Sequence, residues 1–176
     1  MNEAIKKNGL TFGLIVGVAA ILITTIIYVI DLGLMVSIGV GLSIFAINIV
    51  IGIIGVAKTK KQLGGFISFK QALGAFVLIM AIGSLINILF NILLFNIIDP
   101  AAKETMTTLV VEKTVSMMQN FGAKAEDIKK TIVAMKETDN FGPFSLLKSY
   151  LSSMVMYIII GLIVAVALRN KKEVFN

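Results

Sequence analysis

Hydrophobic positions in this chain run in long unbroken blocks. Residues 8–30, 32–57, 71–98 and 149–168 carry no charged side chain. A helix rises about 1.5 Å per residue and the hydrocarbon core of a bilayer is about 30 Å thick, so about 20 apolar residues span it. All four blocks reach that length. They show no alternation and are far longer than a membrane β-strand. The pattern therefore predicts an all-α chain, a polytopic membrane four-helix bundle in a single membrane domain. Its spans are expected at 9–30, 33–57, 69–98 and 146–168. Met1–Lys7 has the charge of a signal-peptide start, but the apolar run after it exceeds the roughly 7–15 residues usual there and no A-x-A site follows. The first helix is expected to be retained.

Between the third and fourth blocks, residues 99–142 are charged and predict an extracytoplasmic helical hairpin. Its boundaries are marked by capping chemistry. Ser68 and Gln71 form an S-x-x-Q capping box at the start of the third helix, behind the breaker Gly64-Gly65. Asp99-Pro100 ends that helix and opens another, with Asp99 as N-cap and proline in the first turn. The tripeptide Asn-Phe-Gly occurs at 120–122 and again at 140–142, and each glycine reads as a left-handed helix stop. Two helices follow, at about 100–120 and 123–138. The second is amphipathic, with Ala125, Ile128, Ile132 and Met135 at helical spacing. A tight turn is expected near Asp31-Leu32-Gly33.

The run Gly64-Gly65-Phe66-Ile67-Ser68-Phe69-Lys70-Gln71-Ala72 resembles the hallmark of an uncharacterised bacterial family of four-pass membrane proteins, a domain of unknown function. The long third helix ending in Asn96-Ile97-Ile98-Asp99-Pro100, the Met-containing charged insert and the closing Arg169-Asn170-Lys171-Lys172 are similar too. The resemblance covers essentially the whole chain. It implies a polytopic protein of the bacterial inner membrane, and it brings no activity or catalytic residue with it.

Composition agrees with the blocks. Hydrophobic residues make up 57% and charged residues 15%, against about half and a quarter in a soluble domain. The net charge of +6 is unevenly spread. Lys6, Lys7, Lys58, Lys60, Lys61, Lys70, Arg169, Lys171 and Lys172 fall on one face of the predicted membrane, against Glu3 and Glu173. Asp31 and the hairpin segment, slightly acidic in balance, fall on the other. Basic loops stay cytoplasmic, so both ends of the chain are expected inside and the hairpin outside. The same lysines are too dispersed for a nucleic-acid surface. Their plausible partner is anionic lipid.

The chain contains no cysteine, histidine or tryptophan, which removes disulfides, Cys/His metal sites and histidine-based triads. No catalytic residue, metal ligand or cofactor is expected. Glu126 and Asp127 are adjacent and cannot converge, and Glu104 and Glu112 stand two turns apart. The methionines, irregularly spaced, read as packing rather than a copper(I) site.

Inside the spans, Gly9, Gly13 and Gly17 form a small-residue stripe on the first helix, and Gly161 belongs to a similar series on the fourth with Ser149, Ser153, Tyr157 and Ala165. Such stripes let backbones approach closely. Packing within the chain is the favoured use, and a homo-oligomer contact the alternative. The costly residues are asparagines, since an unpaired amide in hydrocarbon costs several kcal/mol. Asn87 and Asn91 share a face of the third helix. Counting about 1.5 Å per residue puts Thr24, Asn87 and Ser153 at one depth, about 21–22 Å above the inner end. A polar cluster of Thr24, Asn87, Asn91 and Ser153 is expected in the outer half of the bundle, with Asn48 lower and needing another partner. At the outer boundary, Asp31, Asp99 and Lys148 stand with Tyr28 and Tyr150 and read as interfacial anchors, with an Asp31–Lys148 or Asp99–Lys148 ion pair as a further option. No ionisable residue lies within a span, whereas coupled transporters usually carry one. The leading expectation is a non-catalytic interaction or accessory protein, with the lipid bilayer and a second copy or a membrane-protein partner as its contacts. The alternative is a small channel or transporter lined by the polar cluster.

Overall fold

The computed structural model describes residues 2–170, which leaves Lys171, Lys172 and Glu173 outside the described residues. Six α-helices follow in order among them: α1 (Glu3–Ile30), α2 (Ile38–Gln62), α3 (Phe69–Leu93), α4 (Pro100–Asn120), α5 (Ala125–Glu137) and α6 (Pro143–Leu168). No strand occurs among the described residues. A 3₁₀ turn at Leu32–Val36 joins α1 to α2, and a π turn at Leu94–Ile98 prolongs α3. Four helices, α1, α2, α3 with its π turn, and α6, are long and apolar enough to cross a membrane. Their outward faces carry large apolar side chains, as with Leu10, Leu14, Val18, Leu22 and Ile26 along α1. A soluble protein would hide such a stripe; here it is the lipid-facing surface.

Helix α3 is the element against which α1, α2 and α6 all pack, α1 most extensively. Glycine makes that contact close. Gly9, Gly13 and Gly17 of α1 meet Leu78, Ile82 and Ile86 of α3, and a Cβ at Gly13 would lie 2.7 Å from that of Ile82. Gly83 of α3 answers against Val16, and Gly161 of α6 sits on Phe76. The stripe on α1 is thus consumed within the chain. On α2 the two ends differ: Gly52 and Gly55 pack tightly on Met80, Phe76, Ile79 and Phe12, whereas nothing stands within 4 Å of where side chains would be at Gly39 and Gly41.

Two cores result. The larger joins Phe12, Val16, Val56, Phe76, Ile79, Met80, Tyr157 and Val164 across all four long helices. The smaller gathers Leu94, Phe95, Ala102 and Met106 where the hairpin meets the bundle, with Tyr28 and Phe141 packed against them. At the end bearing the lysine-rich α2–α3 loop, polar bonds tie the helices together. Asn8 Nδ2 donates to Gln62 Oε1 at 2.8 Å, and Lys60 Nζ donates to the Leu168 carbonyl at 3.0 Å and to Asn170 Oδ1 at 2.8 Å.

Several boundaries lie away from the positions that hydropathy alone suggests. α1 begins at Glu3 rather than residue 9, because Asn2 Oδ1 accepts from the Ala4 amide at 2.9 Å and starts the helix in the polar region. α2 begins at Ile38 rather than residue 33: Asp31 Oδ1 accepts from Gly33 N at 2.7 Å and winds the next residues into the 3₁₀ turn. It then runs on through its lysines to a stop at Gly64 and Gly65, with φ of +79° and +86°. There the Gly65 amide donates back to the Lys60 carbonyl, satisfying a last-turn acceptor that an ordinary residue would leave bare. The third span does run Phe69–Ile98 as expected, widening into the π turn from Leu94, and α6 opens at Pro143, where proline suits a first turn. The capping box is closed in both directions, Gln71 Oε1 accepting from Ser68 N at 2.9 Å and Ser68 Oγ from Gln71 N at 3.3 Å.

The two Asn-Phe-Gly tripeptides part company. Gly122 has φ of +73° and ends α4 as Gly64 ends α2: its amide donates to the Gln119 carbonyl, and the next amide, Ala123 N, donates to the Met118 carbonyl. Gly142 does not take the left-handed stop expected of it. Its φ is −69° and it serves as N-cap of α6. A Cβ there would meet the end of the Asp139 side chain.

Candidate functional site: a polar cavity under the hairpin

A cavity of about 240 Å³ opens between α1, α2 and α3, above the larger core and beneath the hairpin. Thr24 and Ile27 line it from α1, Val40, Gly41 and Ile44 from α2, and Asn87 and Asn91 from α3. Phe95, Met106 and Phe141 close it at the hairpin end, the rings of Phe95 and Phe141 standing 5.2 Å apart. The space exists because α2 lacks bulk in its first turns: Gly41 offers no side chain where Ile or Leu would reach α1. Below it the glycine stripe brings α1 and α3 into contact, so the cavity ends on packed side chains.

The structure brings together Thr24, Asn87 and Asn91 and leaves Ser153 out. Ser153 Oγ donates to the Tyr150 carbonyl on its own helix at 2.7 Å and does not line the cavity. The cavity is walled by α1, α2, α3 and the hairpin, and α6, which carries Ser153, contributes no residue to it. Asn91 Nδ2 donates to the Asn87 carbonyl at 2.8 Å and to Asn87 Oδ1 at 3.1 Å. Among the described residues no protein group bonds to Thr24 Oγ1, Asn87 Nδ2 or Asn91 Oδ1. The neighbouring Thr25 hydroxyl, by contrast, donates to the Ile21 carbonyl at 2.8 Å, the common way for a helical threonine to satisfy itself.

Asn48 faces α6, its side chain near the Tyr157 hydroxyl, and Phe45 stacks on the Tyr157 ring at 5.8 Å. Its Oδ1 is buried without a partner among the described residues.

The hairpin base carries a second polar network that the sequence pattern did not single out as a unit. Tyr28 donates its hydroxyl proton to Asp99 Oδ2 at 2.6 Å, and Asp99 Oδ1 accepts from Ala102 N at 3.1 Å. These bonds, the tyrosine's first, hold the Asp99 carboxyl below the usual carboxylate range. Asn96 Nδ2 donates to the Phe141 carbonyl at 3.0 Å, while Lys103 Nζ bonds Asn96 Oδ1 at 3.1 Å and pairs with Asp139 at 2.6 Å. The ion pair anticipated with Lys148 does not form: Asp31 and Asp99 are spent on helix starts, and Lys148 Nζ lies 4.7 Å over the Phe144 ring. A signal for this network was present in the sequence. Asn96 is an amide at the end of a span, and such a residue needs a partner from whatever follows.

The fold and the cavity define a class: a multi-pass helical membrane protein. Over residues 11–170 the chain matches the family described as Protein of unknown function (DUF4199), and it belongs to that family. No curated protein and no solved structure matches it.

Proposed function

We propose that this chain is a non-catalytic component of the bacterial cytoplasmic membrane that engages a partner membrane protein, or a second copy of itself, through the hairpin. Both chain ends would lie in the cytoplasm and the hairpin outside. One observation carries the reading: α5 packs chiefly on α4, none of its residues is buried, and Phe121 at the hairpin tip is 85% exposed. An element joined to its own protein on one side only has a face left for another. Deleting residues 100–140 should release co-purifying partners, or convert an oligomer to a monomer. A wild-type protein that is strictly monomeric, and whose co-purifying partners all survive the deletion, would sink the idea. The threading is supported by the lysine asymmetry. In this cysteine-free chain, Lys129→Cys should label from outside and Lys60→Cys should not; the opposite result reverses the topology.

The cavity favours a second reading, a small channel or transporter. Against it stands the packed core below, where Phe12, Phe76 and Ile79 leave no continuation toward the lysine-rich end. Solute flux in liposomes that Asn87→Leu abolishes would reinstate it.

A further inference from the structure

We propose that the cavity between α1, α2 and α3 is a binding site for a small uncharged molecule or lipid group bearing a hydroxyl or amide, held by Thr24, Asn87 and Asn91. This goes beyond the interaction role proposed for the hairpin and does not depend on it.

The argument starts from what the three side chains leave open. After their mutual bonds, Asn87 Nδ2 remains a donor, Asn91 Oδ1 an acceptor and the Thr24 hydroxyl either, among the described residues. All lie within the span of α1 or α3. Polar groups at that depth need partners, because hydrocarbon supplies none. The protein forgoes the simplest remedy at Thr24, which its neighbour Thr25 takes. The groups left open therefore face a space, and 240 Å³ is room for roughly eight water molecules at about 30 Å³ each or one small organic molecule. No charged side chain lines the cavity, so neither an anion nor a cation is compensated there. A neutral group that both donates and accepts matches the set. Gly41 keeps the wall open on the α2 side, and Met106 and Phe141 shut the end toward the hairpin. A hydroxyl or amide could come from a dissolved solute or from a membrane-borne alcohol; the recognising chemistry is shared.

The test uses the full chain in lipid nanodiscs, with Ile44→Cys as a lone thiol in the cavity wall and N-ethylmaleimide, itself uncharged and small, as the reagent. Acetamide is the soluble probe and 1-octanol the membrane-partitioned one. Either probe should slow modification at Ile44→Cys while leaving a lipid-facing thiol at Ser152→Cys unaffected, and which of the two protects assigns the source. The added Asn87→Leu and Asn91→Leu pair should abolish protection. Thr24→Val, close to isosteric and safe for folding, should raise the protecting concentration roughly fivefold, the size expected for one lost hydrogen bond. Unprotected modification with both probes would mean that the cavity holds water alone, and would overturn the proposal. So would an unchanged protecting concentration in Thr24→Val, or equal protection at Ser152→Cys.

Discussion

Single residues decide where this bundle is tight. At Gly13 the opposing wall is the branched Cβ of Ile82 and the Ile79 carbonyl, neither of which can rotate away. Gly13→Leu should therefore destabilise the protein by about 1–3 kcal/mol, the range for overpacking. Gly39→Ala, which meets open space, should change stability by less than about 0.5 kcal/mol. Unfolding midpoints in one fixed detergent compare them. Asp99 makes a pH-dependent prediction. Its folded pKa lies below the ordinary value, with the Tyr28 bond as the largest cause and the Ala102 amide next. The stabilisation is complete above the unfolded value of about 3.9 and is lost as pH falls through the lower folded value. Tyr28→Phe should move the folded value upward and shrink that window. A carbon-13 titration of the Asp99 carboxyl reads both; an unshifted curve would show that the tyrosine bond does not form in solution.

At the scale of elements, the hairpin is two unequal halves. α4 is bonded to the bundle through Asp99, Asn96 and Lys103 and buries Ala102, Met106 and Val111. α5 has only half-buried Ile128, Ile132 and Met135 on its inner side. Local opening costs least where few apolar contacts are lost. Amides of α5 should therefore exchange with solvent at least about 100-fold faster than those of α3. Comparable protection in both would mean that α5 is covered in the isolated protein, against the reading of a free docking face. The Lys103–Asp139 pair, with its partners 24% and 57% exposed, should contribute about 0–1 kcal/mol. Its use is to hold the chain crossing between α5 and α6 over the end of α3.

For the whole molecule, the two cores divide the bundle into a closed half and an open half. The half toward the lysine-rich end packs α1, α2, α3 and α6 around Phe76 and Ile79, each 0% exposed. The other half contains the cavity. On the proposed reading, a bundle closed at one end and open at the other binds without conducting. Proteoliposomes should pass glycerol no faster than protein-free vesicles in stopped-flow light scattering; faster passage would mean that the core opens.

Much of this was legible in the residues one by one. Four apolar blocks without alternation allow only spanning helices, because a lipid-buried backbone must satisfy its own hydrogen bonds. The capping box at Ser68 and Gln71, the Asp99-Pro100 junction and the Gly122 stop are local chemistry, fixed by neighbours a few residues away. The start of α2 was less legible, since an Asp31 side chain turned the chain where hydropathy continued. Gly142 looked like Gly122 in sequence and differed because it caps the start of α6 ahead of Pro143 rather than ending α5. Depth along a helix could be counted, and it placed Thr24 level with Asn87. The angle around the bundle axis could not be counted, which is why Ser153 was grouped with them and lies elsewhere. The sequence alone determined the elements, their ends and the unequal charge of the two faces, all of which follow from covalent order and short-range bonding. Only the tertiary structure decided that the glycine stripe of α1 serves α3, that Gly39 and Gly41 of α2 meet no other helix, and that three polar side chains come to face one cavity. Those are matters of which helix faces which, and contact between distant segments is set by packing as a whole.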